Sequence, residues 1–138
     1  MADMRKFTKK GFFTWLGKQS SNKVVGKCSD PMACVLAQYI ADDILLKDEV
    51  VSVALNDDIL IVDKERFDDV FTTQPSWDGT DAVMHELRWD APKDAYRSFE
   101  LPRWAESVVG AFDRLGSRGK KVTAARVRAQ LEAEGVKV

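Results

Sequence analysis

From Val51 to Leu55 apolar residues alternate with small ones and Ile59 and Ile61 keep the same spacing, whereas on either side apolar residues recur at helical spacing. A chain that switches its hydrophobic period in this way must pack helices against strands, because a period of 2 buries one face of a strand and a period of 3.6 one face of a helix. Val51, Val53 and Leu55 alternate with Ser52 and Ala54, Asn56-Asp57 supplies turn chemistry, and Ile59 and Ile61 continue the pattern to Asp63. The spacing predicts a hairpin over residues 50–63.

Before the hairpin, Thr8 is an N-cap candidate. Phe7 and Phe12 are placed to staple the helix start, and Phe12, Trp15 and Leu16 form one stripe that ends at Ser20-Ser21-Asn22. A second helix is predicted to start at Asp30-Pro31, with an acceptor at the N-cap and a proline where a missing N–H costs nothing. Met32, Val35, Leu36, Tyr39 and Ile40 then fall on one face, and the helix is expected to end near Ala41 or Asp42.

After the hairpin, Asp63 can cap a short helix over residues 64–71, followed by a loop over residues 72–81. Val83, His85, Leu87 and Trp89 alternate with Met84, Glu86 and Arg88, which favours a strand over residues 82–90, although Val83, Met84 and Leu87 also fit a helix. Phe99 belongs to a short extended piece before Leu101-Pro102. Trp104, Val108, Phe112 and Leu115 mark an amphipathic helix that Gly116 closes. A basic loop over residues 117–121 leads to a last helix, capped by Thr123, facing the core with Ala124, Val127 and Leu131, and stopped by Gly135. The expected architecture is α+β, about five helices packed on a small, mainly antiparallel sheet, in one globular domain spanning residues 1–138.

Charge is sorted along the chain. Residues 1–27 carry seven Lys/Arg against one acid, residues 28–100 carry six against 17, and residues 101–138 carry eight against four, so the formal total of −1 conceals a basic–acidic–basic polymer. Such sorting speaks to partners and long-range fields. At 45% hydrophobic and 31% charged the composition is that of a folded chain. No apolar run approaches the ~20 residues of a bilayer span. The apolar part of residues 11–17 is short and interrupted by Thr14, below a signal core of roughly 7–15 residues, so a cytoplasmic location is expected.

Catalytic motifs are absent. One histidine, His85, leaves little room for a His-centred relay, and neither Gly-rich phosphate cradle nor a Gly-x-Ser-x-Gly elbow occurs. His85 reads as a sheet-surface or half-buried residue rather than a general base. Cys28 and Cys34 lack the spacing of a redox pair or a zinc site and read as structural thiols, with Cys34 near a helix N-terminus that can lower a thiol pKa. The acidic pairs lack calcium-loop spacing, so no metal and no cofactor is expected.

Two charged surfaces remain. The acidic middle can present a carboxylate surface to a partner, with Asp57, Asp58, Asp68 and Asp69 as candidate contacts and Trp77, in a Pro-Ser-Trp-Asp-Gly loop, as candidate anchor. In the other, Arg114, Arg118, Lys120, Lys121, Arg126 and Arg128 lie on a helix end, a loop and the next helix, with no acid between Arg114 and Glu132. Helix, basic loop and helix can offer cations and a helix N-terminus to phosphate.

Phe12-Phe13-Thr14-Trp15-Leu16, Val24-Val25-Gly26 and the run from Cys28 to Ile40 resemble small bacterial and phage proteins of unassigned function. In those a Phe/Trp-Leu helix leads through a Val-Gly turn to a Cys-Pro-Leu/Ile-Ala-x-Tyr/Phe helix. Leu101-Pro102-Arg103-Trp104 and Val122-Thr123-Ala124 are similar to their closing helices, and together these segments cover about half of the chain. Here Met32-Ala33 separates Pro31 from Cys34, and the resemblance does not extend to the acidic region over residues 42–69. The resemblance implies a small prokaryotic or phage accessory protein and transfers no active site.

The sequence therefore points to a non-enzymatic interaction protein, of phage accessory or anti-defence type. It would bind and modulate a host protein or nucleoprotein complex through its acidic surface, away from membranes. The alternatives are a nucleic-acid-binding protein using residues 114–128, and a small-ligand or enzymatic domain built from scattered carboxylates.

Overall fold

A computed structural model describes residues 2–54, 58–75 and 83–138, with the side chains of all of these but Pro75, Val83 and Met84. In chain order the elements are α1 (Lys9–Lys18), β1 (Val24–Lys27), α2 (Val35–Asp43), β2 (Glu49–Val53), β3 (Asp58–Asp63), α3 (Phe67–Val70), β4 (Phe71–Pro75), β5 (Val83–Leu87), β6 (Tyr96–Glu100), α4 (Arg103–Asp113), β7 (Lys121–Thr123) and α5 (Ala124–Ala133). The fold is α+β; among the described residues there are five α-helices, and the strands form three small antiparallel sheets, β1-β7, β2-β3-β6 and β4-β5.

The start of α1 follows from local chemistry. Thr8 Oγ1 accepts the Gly11 N–H at 2.9 Å, and Phe12, Trp15 and Leu16 are buried. Phe7 and Phe12, the two residues placed to staple this helix, both pack on Trp104 (ring centroids 5.0 and 6.1 Å away) and on Tyr39. The segment before α1 is tied down as well. Buried Glu49 accepts the Ala2 N–H at 3.1 Å through Oε1, while Arg97 donates to the Ala2 carbonyl at 3.0 Å.

Helix α2 begins four residues later than Asp30-Pro31 predicts. Cys34 is its N-cap, and Asp30 Oδ1 instead closes a turn by accepting the Met32 N–H at 3.0 Å. The reason is tertiary: the Pro31 carbonyl accepts from Val53 N–H and the Ala33 carbonyl from Lys27 N–H, both at 2.7 Å, so residues 31–33 serve β2 and β1 rather than a helix. At its other end α2 includes Asp42 and Asp43, both exposed.

The hairpin forms as expected, β2 against β3, with Val51 opposite Ile61. Its predicted turn at Asn56-Asp57 lies outside the described residues. The third strand of that sheet is β6, with Ile59 opposite Phe99; the segment over residues 82–90 contributes β5 to a separate pair instead. Its partner is β4, in the stretch expected to be loop, and Thr73 stands opposite His85 there. The short helix predicted over residues 64–71 is a 3₁₀ turn, Lys64–Arg66, followed by α3, and Asp63 makes no side-chain cap.

The β1-β7 pair has no sequence precursor in the predicted elements. It converts the expected Val-Gly turn and the end of the basic loop into a ribbon, bulged between Val24 and Gly26. Gly26 is required there. A Cβ at this position would lie 2.8 Å from Val35 N and 2.9 Å from both Ala33 O and Phe112 Cζ. At the C-terminal end, α4 stops at Asp113, short of Gly116, whereas α5 ends as predicted just before Gly135, whose φ is +71°. Thr123 is the N-cap of α5 by position but makes no side-chain cap bond.

Two apolar clusters hold these elements together. The larger gathers α1, α2, α4, α5 and the inner faces of β2 and β3; the smaller, around Val62, Val70, Phe71 and Ala95, lies under α3 and β4.

Candidate interaction surfaces

The acidic surface is built on the smaller cluster. Val70 and Phe71 are buried, which turns the carboxylates of Asp68 and Asp69 outward to solvent. Phe67 packs on Phe71 (5.2 Å between centroids) and edge-on to His85 (5.3 Å). His85 Nδ1 lies 3.1 Å from Thr73 Oγ1, so the sole imidazole is engaged within the β4-β5 pair, half-buried on its strand. The segment leaving β5 is clamped to α3: Arg88 N–H donates to the Val70 carbonyl and Arg88 Nε to the Asp68 carbonyl, both at 2.7 Å. Ala91 N–H then donates to the Arg88 carbonyl at 3.2 Å, closing a turn.

Trp89 sits in that turn with 97% of its surface exposed, next to Leu87, which is 48% exposed. Its backbone is pinned on both sides while its ring is left to solvent. Asp68, Glu86 and Asp90 are exposed too: Glu86 and Asp90 lie within three residues of Trp89 in sequence, and the Asp68 carbonyl accepts from the neighbouring Arg88. Arg66 holds Asp69 and Asp94, each at 3.4 Å, so part of the negative charge there is bridged by one cation.

The predicted acidic residues are not brought together as a set. Asp58 begins β3 opposite Glu100 and accepts from Ser98 Oγ at 2.7 Å. Asp68 and Asp69 follow the far end of that strand, which at about 3.3 Å per residue puts roughly 17 Å of β3 between the two groups. Asp57 and Trp77 lie outside the described residues. The structure leaves the Trp89 indole fully exposed, where alternation favours a strand position. The missed signal was Asp90 with Pro92 close behind, a turn composition directly after Trp89.

The basic residues divide as well. Arg114 pairs with Glu134 through Nε at 3.0 Å and through its terminal nitrogen. Arg118 donates to the Ser29 carbonyl at 3.3 Å, and Arg128 to the carbonyls of Leu16 (2.7 Å) and Gln19 at the end of α1. Those three guanidiniums hold the fold. Lys120, Lys121 and Arg126 are exposed and make no ion pair among the described residues. The α5 N-terminus is not available to phosphate either, because Ala124 N–H donates to the Lys23 carbonyl and Ala125 N–H to that of Ser21, at 2.9 and 3.1 Å.

Both cysteines are buried and unpaired with each other. Cys34 caps α2, where the N–H groups of Leu36 and Ala37 would favour a thiolate, but burial outweighs them and the thiol is pushed up to about 12. Cys28 is also raised by burial, and its Sγ donates to the Phe112 carbonyl at 3.3 Å. Asp113 accepts the Ser29 N–H at 2.8 Å and is likewise raised by burial; this bond and that from Arg118 hold Ser29 at φ +55°, a region that favours glycine. The cleft shared by Asp30, Cys34 and Asp113 is about 170 Å³, below the ~300 Å³ at which small-molecule pockets begin. A larger groove of about 480 Å³ between α1 and α5 is lined mainly by apolar groups, among them Phe13, Leu16 and Leu131, with one carboxylate, Glu132. Among the described residues no helix is long and apolar enough to cross a membrane, and no cluster of three or more His, Cys, Asp or Glu is placed to hold a metal ion.

Compared with known proteins, the chain matches no family model, no curated protein and no solved structure.

Proposed function

We propose that this chain is a non-enzymatic interaction protein that binds a basic surface of a macromolecular partner through α3 and the β5 turn, with Trp89 as anchor. The observation that carries this reading is Trp89 itself, 97% exposed on a turn whose backbone is bonded to α3. An exposed indole on a rigid support has lost its backbone freedom already, so burying it against a partner adds area at low entropic cost. Asp68, Glu86 and Asp90 supply the electrostatic steering and register. The buried thiols and the engaged His85 leave these candidate nucleophiles and bases shielded, which favours binding over catalysis. The resemblance to small bacterial and phage proteins supports an accessory role, modulating a host protein or nucleoprotein complex in the cytoplasm.

The test is affinity capture on immobilised wild-type chain and Trp89→Ala in parallel, followed by titration of the captured partner. A hot-spot tryptophan is worth about 2 kcal/mol or more, so Trp89→Ala should weaken binding about 30-fold. Asp68→Asn/Asp90→Asn should flatten the salt dependence. A partner held equally by all three proteins would refute the assignment.

A further inference from the structure

The register of β1 against β7 sets Lys27 directly opposite Lys121. Like charges facing across an antiparallel pair repel each other. Both side chains are exposed, and neither is hydrogen-bonded or ion-paired among the described residues. Two more cations join them. Lys120 precedes Lys121 and lays its stem over Gly116, where any side chain would displace it. Arg126 stands in the first turn of α5, directly after β7. Burial raises the Cys28 thiol while Lys120 and Arg126 both pull it toward its charged form, so the two charges bear on one buried atom in the residue that follows β1. Asp113, the carboxylate that bears on the same thiol, is engaged by the Ser29 N–H. Lys27 is 94 residues from Lys121, and only the β1-β7 pairing sets them opposite each other.

We propose that this ribbon, through Lys27, Lys120, Lys121 and Arg126, binds the phosphodiester backbone of a nucleic-acid duplex. Phosphates between Lys27 and Lys121 convert a repulsive pair into a favourable one, which gives this cation arrangement its use. Duplex rather than single strand follows from what else the ribbon shows: its exposed large apolar residue is Val24, an aliphatic side chain and not an aromatic platform on which a base can stack. The surface is separate from Trp89, so a nucleoprotein partner could engage both, and either can fail alone.

The experiment is fluorescence anisotropy of a labelled duplex of about 20 base pairs, titrated with the full chain at about 50 and 200 mM salt. Four phosphate contacts imply a slope of about −3.6 in log K against log salt, a loss of about 150-fold over that fourfold range. Lys27→Ser/Lys121→Ser removes two contacts and should reduce the loss to about 12-fold. Arg126→Gln, on the helix rather than the ribbon, should lower the slope by about one contact's worth, 0.9. Arg114→Ala, whose guanidinium serves Glu134, and Trp89→Ala should leave the wild-type slope unchanged. Melting curves of each variant establish that it is folded; the double serine variant loses a repulsion and should melt no lower than wild type. Absence of duplex binding at the lower salt, a wild-type slope in the folded double variant, or tighter binding of a single strand of equal length would each overturn the proposal.

Discussion

The indole Nε1–H of Trp15 donates to Asp42 Oδ2 at 2.9 Å, joining the middle of α1 to the end of α2. Trp15 is buried against Phe12 and Tyr39, so its one polar atom needs a partner, and Asp42, exposed on the last turn of α2, supplies it. Asp42→Ala should cost about 1 kcal/mol in urea unfolding, whereas Asp42→Asn, which keeps the acceptor, should lie much closer to wild type.

The two glycines Gly26 and Gly17 should respond oppositely to alanine. At Gly26 the added methyl meets backbone atoms of Val35 and Ala33, which cannot move aside without breaking the β1 connection, and a loss of about 1–3 kcal/mol or more is expected. At Gly17, in the last turn of α1, nothing lies within 4 Å, and Gly17→Ala should gain about 0.5–1 kcal/mol through helix propensity. Denaturant midpoints of the two variants check both signs.

Arg128 and Arg126 occupy neighbouring turns of one helix with different duties. Arg128→Ala leaves the Leu16 and Gln19 carbonyls without their charged donor and should destabilise the fold by about 1.5–3 kcal/mol. Arg126→Ala should change stability by less than about 0.5 kcal/mol, since its side chain is exposed and unbonded among the described residues. Equal losses for the two would refute the division of the basic residues described above.

Cys34 should be inert toward alkylating reagents at pH 8 in the native chain, because burial holds its thiol up to about 12 against an ordinary 9.0. The same shift sets a sign for stability. Below pH 9 the thiol is protonated in both folded and unfolded chains, and pH has no effect through it. Above pH 9 the unfolded chain ionises first, so stability should fall by about 1.4 kcal/mol per pH unit toward 12. Cys34→Ala should remove that component, seen as the difference between the two pH profiles.

Legibility differed from element to element for physical reasons. The cap of α1 at Thr8, the β2-β3 hairpin and the stop at Gly135 were readable because each is decided by residues within a few positions of one another. The start of α2 is not legible locally because Pro31 and Ala33 hand their carbonyls to Val53 and Lys27, partners no local window contains. Strand β4 has no local signature, since Thr72, Thr73 and Gln74 show no apolar alternation; pairing with β5 makes them a strand. Composition marks which segments are acidic and which are basic. It could not separate Arg128, which caps α1, from Arg126, which faces solvent.

The α+β class, the helix at each end and the central hairpin were therefore decided by sequence alone, since hydrophobic period and caps act over three or four residues. Which sheet each later strand joins, which cations remain exposed, and that Trp89 rather than a core position points to water were decided only by the tertiary structure. Strand register and carbonyl sharing couple residues up to about a hundred positions apart, as Lys27 and Lys121 show, and such a coupling leaves no periodic trace along the chain.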